Sequence, residues 1–454
     1  MNDREIRYNR DFLNWTDIRN DNQAYKPDFH IYPTRGLIND PNCVFWWQDN
    51  LYCFFQHHPA NTLHGLKTMS LAKTSNFTDY EYTYMVNKPE NDFESHGVYS
   101  GSSIIHKGRI INFYTGNKRD KDWIRTSSVV KSEFDVNTKE FKNKKVLITN
   151  EDYPNYTDHF RDPYVFQFAN NYYLLLGAQH VDGYGAILMF ILDHNLENPV
   201  LVKQINLNFN YKMIECPNII FIDGKAFLIY CPQYQDSLSK RNPRVNPDIC
   251  VYSYVDINSL FNLLDFYYQI QDFKQVDYGL EFYAPQTFKL GDKWAIVGWV
   301  GLPTNLKYKE VDCGWIGMLS MIKTISVNHS NNSLIFHEIS RYKGEYLCSK
   351  NPFVKYFSTD IFQNKRINIF DNEKLLLSLW LEIKAVGIDL VIKRYNDVSF
   401  YPYQNISRIK CEDEKNKIDI FIDNTIVEIK INDKIWYTAR IYFSERINIV
   451  KEVI

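Results

Sequence analysis

Five times along the chain a short polar motif runs into an apolar segment, a tight turn and a second apolar segment. The motifs centre on Asp40, Ser100, Asp162, Glu215 and Tyr283, which stand 60, 62, 53 and 68 residues apart. Asp40 leads into Val44-Phe45-Trp46-Trp47, the turn Gln48-Asp49-Asn50 and the run Leu51 to Phe55; Glu215 leads into Asn218 to Ile222, Asp223-Gly224 and Lys225 to Tyr230. Asp-Gly and Lys-Gly pairs between β-rich runs are strong hairpin signals. A unit of roughly 60 residues accommodates a four-stranded antiparallel blade with generous loops. Five such units predict an all-β chain whose main body is a five-bladed β-propeller.

In a propeller the innermost strand of each blade begins beside the central channel, so Asp40, Asp162 and Glu215 are expected to converge although 175 residues separate the first from the last. The motif is not repeated after about Val327, and Asn328-His329-Ser330-Asn331-Asn332-Ser333 reads as a turn or linker. Short strands follow: Leu375 to Ile383, Ile388 to Tyr395, Ile418 to Ile422, Ile426 to Ile431 and Ile435 to Phe443. They suggest a β-sandwich. The expected division is a lead-in over residues 1–29, a propeller over 30–330 and a sandwich over 345–454. The lead-in is polar apart from Phe12-Leu13-Asn14-Trp15, reads as short helix, and carries no assigned role.

Composition narrows the function. The 33 Tyr, 30 Phe and 9 Trp favour strands and ligand-stacking surfaces. A net charge of −2 with interspersed Lys and Glu leaves no basic stripe for nucleic acid. No apolar run approaches a membrane span, and Met1 to Arg7 lacks the apolar core of a secretory signal, so a soluble cytoplasmic protein is expected. The eight cysteines show no CxxC pair and no metal-ligand spacing to histidine. Buried reduced thiols, no metal and no cofactor are the expectation.

Cleavage of a glycosidic bond needs two carboxyl groups, one to protonate the leaving oxygen and one to attack or steady the sugar carbon. Asp40 and Glu215 suit those tasks. Glu215 lies among Met213, Ile214, Cys216 and Pro217, a setting expected to raise its pKa, whereas Arg161 is expected to hold neighbouring Asp162 ionised to bind sugar hydroxyls. Asn39 offers an amide to the same hydroxyls. Trp299, ending a strand near the fifth motif, is a candidate sugar platform, while Phe45-Trp46-Trp47 reads as packing within a blade. His57-His58 reads as ordinary polar loop. The stretch from His57 to Lys73 carries His57, His58, His64, Lys67 and Lys73 with no acid, so Lys67 is expected on a cationic rim that takes a substrate phosphate.

Taken together, His30-x-x-Pro33-x-x-Gly36, Asn39-Asp40-Pro41-Asn42, Tyr99-Ser100-Gly101-Ser102, Tyr114-Thr115-Gly116-Asn117, Phe160-Arg161-Asp162-Pro163, Glu215-Cys216-Pro217 and Tyr283-Ala284-Pro285-Gln286 resemble glycoside hydrolase family 32. Val427 to Asp433 with Thr438-Ala439-Arg440 resembles that family's sandwich, so the likeness covers nearly the whole chain. The resemblance implies a retaining β-fructofuranosidase with Asp40 as nucleophile, Glu215 as acid/base and Asp162, with Arg161, as transition-state stabiliser. It also implies that Asn39, Gln56, Tyr99 and Ser100 line the fructose subsite. Three positions depart from the family pattern: Met69-Ser70-Leu71-Ala72 replaces Trp-Gly-His-Ala, Cys43 replaces a glycine, and Ile322-Lys323 replaces Pro-Arg.

The expected substrate is sucrose or sucrose 6-phosphate. A fructan hydrolase or fructosyltransferase is the alternative within enzymes. A catalytically weak fructoside-binding protein, its stacking tryptophan lost, is the alternative outside them.

Overall fold

The computed structural model describes all residues except 1–2, 21, 23, 209–210, 235–248, 280, 302–307, 386, 396–404, 445–446 and 454. Five mainly antiparallel sheets follow one another in chain order, each beginning with a strand that carries one polar motif. Those first strands are Gly36–Trp47, Val98–His106, Tyr156–Phe168, Met213–Ile222 and Tyr283–Leu290. Each contacts the next, and the fifth contacts the first, which closes a five-bladed ring. On its axis a cavity of only about 10 Å³ is lined by Pro41, Gly101, Pro163, Pro217 and Pro285, one residue from each first strand. Ring closure is reinforced by Trp315–Ile316, which pairs in parallel with Gly36 and Leu37.

The polar motifs were expected to lead into the strands. They lie instead inside the strands, at bulges. The pairing register slips between Ile38 and Pro41, Tyr99 and Gly101, Arg161 and Tyr164, Glu215 and Asn218, and Tyr283 and Gln286. A bulge bends its strand and re-aims one side chain. Asp162, Cys216 and Ala284 take left-handed φ values of 64°, 48° and 45° at these points. The prolines are tolerated because a first strand has no partner on its channel side, so a missing N–H costs no ladder hydrogen bond.

After the fifth sheet, helix Ser340–Cys348 leads to a sandwich of two sheets. One holds Val354–Phe362, Lys415–Asp423, Ile426–Ile431 and Ile435–Arg440; the other holds Ile406–Cys411, Ile388–Arg394, Lys374–Ile383, Lys365–Asp371 and Ile447–Val453. The expected propeller limit at residue 330 needs correcting. Lys323–Asn328 and Ser333–Glu338 pair as a hairpin of the fifth sheet, so Asn328 to Ser333 is its turn and the propeller runs on to Glu338.

The sandwich meets the propeller through a core that includes Phe421 and Trp436 beside Tyr283 and Phe336. Buried charges cross the same boundary. His30 contacts Asp423 at 2.7 Å and Glu428 at 3.2 Å, Lys323 contacts Glu428 at 2.7 Å, and Arg394 contacts Glu281 at 2.6 Å. Lys323, the residue found where the family has arginine, therefore serves this boundary. Among the described residues no helix is long and apolar enough to cross a membrane.

Candidate active site

Above the axial constriction opens a cavity of about 450 Å³. Its wall includes Asp40 from the first blade, Tyr99 and Ser100 from the second, Asp162 with Arg161 from the third, Glu215 from the fourth, and Tyr283 and Trp299 from the fifth. The bulges explain the convergence: each turns the polar residue of its strand towards the axis, where a flat ladder would alternate it away.

Asp40 sits in a net of donors. Asn39 Nδ2 donates to Asp40 Oδ1 at 3.0 Å, Gln56 Nε2 donates to Oδ2 at 3.1 Å, and Ser100 Oγ donates to Oδ2 as well. Asn39 Nδ2 also donates to Gln56 Oε1 at 3.0 Å, so the amides fix one another. Burial pushes the Asp40 carboxyl above its usual range and nearby Glu215 adds to this; the bonds from Ser100 and Asn39, and the charge of Lys67, pull the other way. The donors aim the carboxylate without cancelling its basicity, a useful condition for a nucleophile.

The electrostatics of the other two acids reverse the expectation. Arg161 does not hold Asp162 ionised. Its guanidinium is turned to Glu215, with Nη2 donating to Oε1 at 2.6 Å and Nε to the same oxygen at 3.2 Å, while its nearest approach to Asp162 is 3.9 Å. Burial dominates at Asp162 and, with Glu215 and Asp40 close by, raises its pKa to about 7 against the pull of Arg161 and the Cys216 N–H. That N–H donates to Asp162 Oδ2 at 3.0 Å. Nor is the setting of Glu215 apolar. Gln233 Nε2 and the Tyr283 hydroxyl donate to its Oε2 at 2.7 and 2.6 Å, which with Arg161 makes a fully donor-lined carboxylate.

Lys67 is corrected too. It is buried, not on a rim, and its Nζ donates to Asn39 Oδ1 at 2.5 Å, one layer behind Asp40. Burial lowers its pKa to about 7 against the attraction of Asp40. His57 and His58 end the strand Asn50–His58 and are wholly buried. His57 is bonded to Ser70 Oγ and to the Arg35 carbonyl, both at 2.8 Å, and His58 to the Leu63 carbonyl at 2.8 Å. Burial drives their pKa values down to about 3 and about 4, so both are neutral structural groups. Trp299 does line the cavity, edge-on to His64 at 6.0 Å. Met69, in place of the family tryptophan, is fully buried, and Ser70 accepts from the Met85 N–H at 2.9 Å, so this departure has become part of the blade's packing. Cys43 holds a left-handed φ of 45°, the conformation a glycine would take without strain.

Several wall residues were missed. Tyr283 occupies the slot in the fifth motif that an acid fills elsewhere, and that parallel was visible in the sequence. Arg125 and Arg7, on the wall, had no local signal, and neither had Gln233 and His159, which stand behind it against Glu215 and Arg161. Arg7 comes from the lead-in helix Asp3–Arg7, which therefore does have a part in the site.

The comparisons with known proteins agree with this geometry. The profile of the glycosyl hydrolases family 32 N-terminal domain matches residues 30–337. A sucrose-6-phosphate hydrolase of Lactococcus lactis is 31% identical over 90% of this chain and 86% of its own length. Another, from Streptococcus mutans, is 29% identical over 97% of this chain and 95% of its own. The solved sucrose-6-phosphate hydrolase of Lactobacillus gasseri superposes with a TM-score of 0.82 at 25% identity, covering 100% of this chain and 97% of that one. With the propeller, the sandwich and the three converging acids all in place, the chain belongs to glycosyl hydrolase family 32.

Proposed function

We propose that this glycoside hydrolase cleaves terminal β-D-fructofuranosides, with sucrose 6-phosphate and sucrose as its substrates, by double displacement. The observation that carries the reading is the meeting of Asp40, Asp162 and Glu215, from three different blades, on one cavity. Asp40 attacks the anomeric carbon of the fructosyl unit, and the glycosidic C–O bond breaks as Glu215 delivers a proton to the departing oxygen. Water, deprotonated by Glu215, then cleaves the fructosyl ester and restores Asp40. Asn39, Gln56, Tyr99 and Ser100 line the fructosyl pocket beside Asp40, and Trp299 walls it. The names of the similar hydrolases support the substrate class.

Asp162, held in place by the Cys216 N–H, lies beside Asp40 and Glu215 and accepts hydroxyls of the fructosyl unit.

The test is Asp40→Asn assayed for fructose release from sucrose and sucrose 6-phosphate. Loss of several orders of magnitude in kcat with an unchanged melting temperature is expected for a nucleophile. Activity within tenfold of wild type, with either sugar, would overturn the assignment. Inulin and levan in the same panel separate the fructan-hydrolase reading.

A further inference from the structure

We propose that Arg125, together with Arg7, is the anchor for a phosphate carried by the leaving sugar, an assignment that rests on the fructosidase reading above. Position comes first. The leaving sugar must lie against Glu215, because it takes that group's proton. From Glu215 a chain of contacts runs along the wall: Glu215 to Arg161 at 2.6 Å, Arg161 Nη1 to His159 Nδ1 at 2.9 Å, and His159 Nδ1 to Arg125 Nη2 at 3.4 Å. Arg125 is therefore one imidazole beyond the clamp on the acid, and it lines the same cavity as Arg7.

The chemistry of these groups differs. Arg161 is committed to Glu215, and a guanidinium can only donate, so His159 Nδ1 is an acceptor shared by the two arginines. Burial and the two guanidinium charges hold His159 neutral, with a pKa of about 4. Arg125's carboxylate neighbour among the described residues is Asp158 at 3.1 Å, whose side chain is 39% exposed. Arg125 itself is largely buried, with its side chain 12% exposed, so this one half-exposed carboxylate is its counter-charge there. Burial and the charge of Arg161 push Arg125 below its ordinary pKa, the mark of a cation short of counter-charge. A phosphate accepts from arginine through two parallel bonds and would supply it.

The two arginines are also held in place relative to each other. Trp123, two residues before Arg125, has the Arg4 guanidinium over its ring at 4.5 Å, that of Arg119 at 5.1 Å, and Tyr8 edge-on at 5.1 Å. Arg4 and Tyr8 flank Arg7 on the lead-in, and the Leu66 N–H donates to the Arg7 carbonyl at 2.8 Å. Trp123 thus pins the helix that carries Arg7 to the strand that begins at Arg125.

The experiment compares wild type with Arg125→Ala in two ways. The first is the ratio of kcat/KM for sucrose 6-phosphate to that for sucrose. The second, independent of turnover, is the binding of glucose 6-phosphate, glucose and inorganic phosphate by calorimetry. The ratio should fall by about 10–100-fold in Arg125→Ala, mainly through KM, and the preference for glucose 6-phosphate over glucose should fall with it. Arg125→Lys, which keeps charge but loses the fork, should lie between, and melting temperatures verify that the variants fold. An unchanged ratio, or equal binding of glucose and glucose 6-phosphate by wild type, overturns the anchor. Inorganic phosphate binding as tightly as glucose 6-phosphate also overturns it, because the site would then read a free anion. Failure of wild type to release fructose from either sugar would instead defeat the fructosidase reading, which the binding arm does not test.

Discussion

Lys67 shows how far a residue's task can lie from its apparent one. A cation in a polar stretch invites a role in binding anions, but this one is enclosed and spends its charge on Asn39 Oδ1, which orients the amide that donates to Asp40. Lys67→Ala should therefore reduce kcat by about tenfold on sucrose and on sucrose 6-phosphate alike, the cost of freeing a buried charge-assisted bond behind the nucleophile. A selective loss on the phosphorylated sugar would contradict this. Asp162 leads to a second expectation. Its carboxyl has a pKa of about 7 in the folded protein against an ordinary 3.8. Between those values the folded state keeps a proton that the unfolded chain has lost, so this group's contribution to stability falls as pH rises through the window and is fully unfavourable above about 7. Asp162→Asn cannot ionise and keeps an oxygen for the Cys216 N–H. It should raise the melting temperature, and by more at about pH 8 than at about pH 5.5, while removing most activity. An equal rise at both would mean that the carboxyl is not the group titrating.

The strands that bear the acids were legible because their signals are local: an acid beside proline, then a hairpin. What a local signal cannot carry is which neighbour a side chain meets. Arg161 is adjacent to Asp162 in sequence yet answers Glu215, because the bulge in blade three turns it towards the strand of blade four. His57 and His58 were misread for the same reason. The carbonyls that receive them belong to Arg35 and Leu63, outside their own strand, so two polar residues at a strand's end looked like solvent-facing loop. Gly177 tests the importance of these strand contacts. It stands opposite the Asp162 bulge, and a Cβ there would come within 2.2 Å of the Ile214 carbonyl, the residue before Glu215. Gly177→Ala should cost about 1–3 kcal/mol of stability, read by denaturant titration, through the forced separation of blades three and four. It should also lower kcat, because Glu215 moves with that strand. Unimpaired turnover in a destabilised variant would show the acid to be positioned independently of the blade contact.

At the scale of the whole molecule the sandwich is joined to the propeller by buried charge as well as by apolar contact. Burial disfavours a charged His30, but its hydrogen bonds to Asp423 and Glu428 outweigh that and lift its pKa to about 9. Since this lies above the ordinary 6.5, the stability it contributes is complete below about pH 6.5 and is lost as pH rises through about 9. His30→Gln should be less stable at neutral pH by about 3–5 kcal/mol, because Asp423 and Glu428 lose the cation they share and Lys323 remains on Glu428 alone, and the alkaline decline should flatten. A variant that still loses stability steeply between those limits would place the titration elsewhere. Closure of the ring has a consequence of another kind. Gly36 and Leu37, on the strand of the nucleophile, pair with Trp315 and Ile316, and His30 awaits Asp423 and Glu428. At translation rates of about 5–20 residues per second, the nucleophile's strand leaves the ribosome roughly 15–55 s before the segment that completes its edge. The first blade therefore waits with an open edge until Trp315 and Ile316 have been made, and the buried seat of His30 waits longer still.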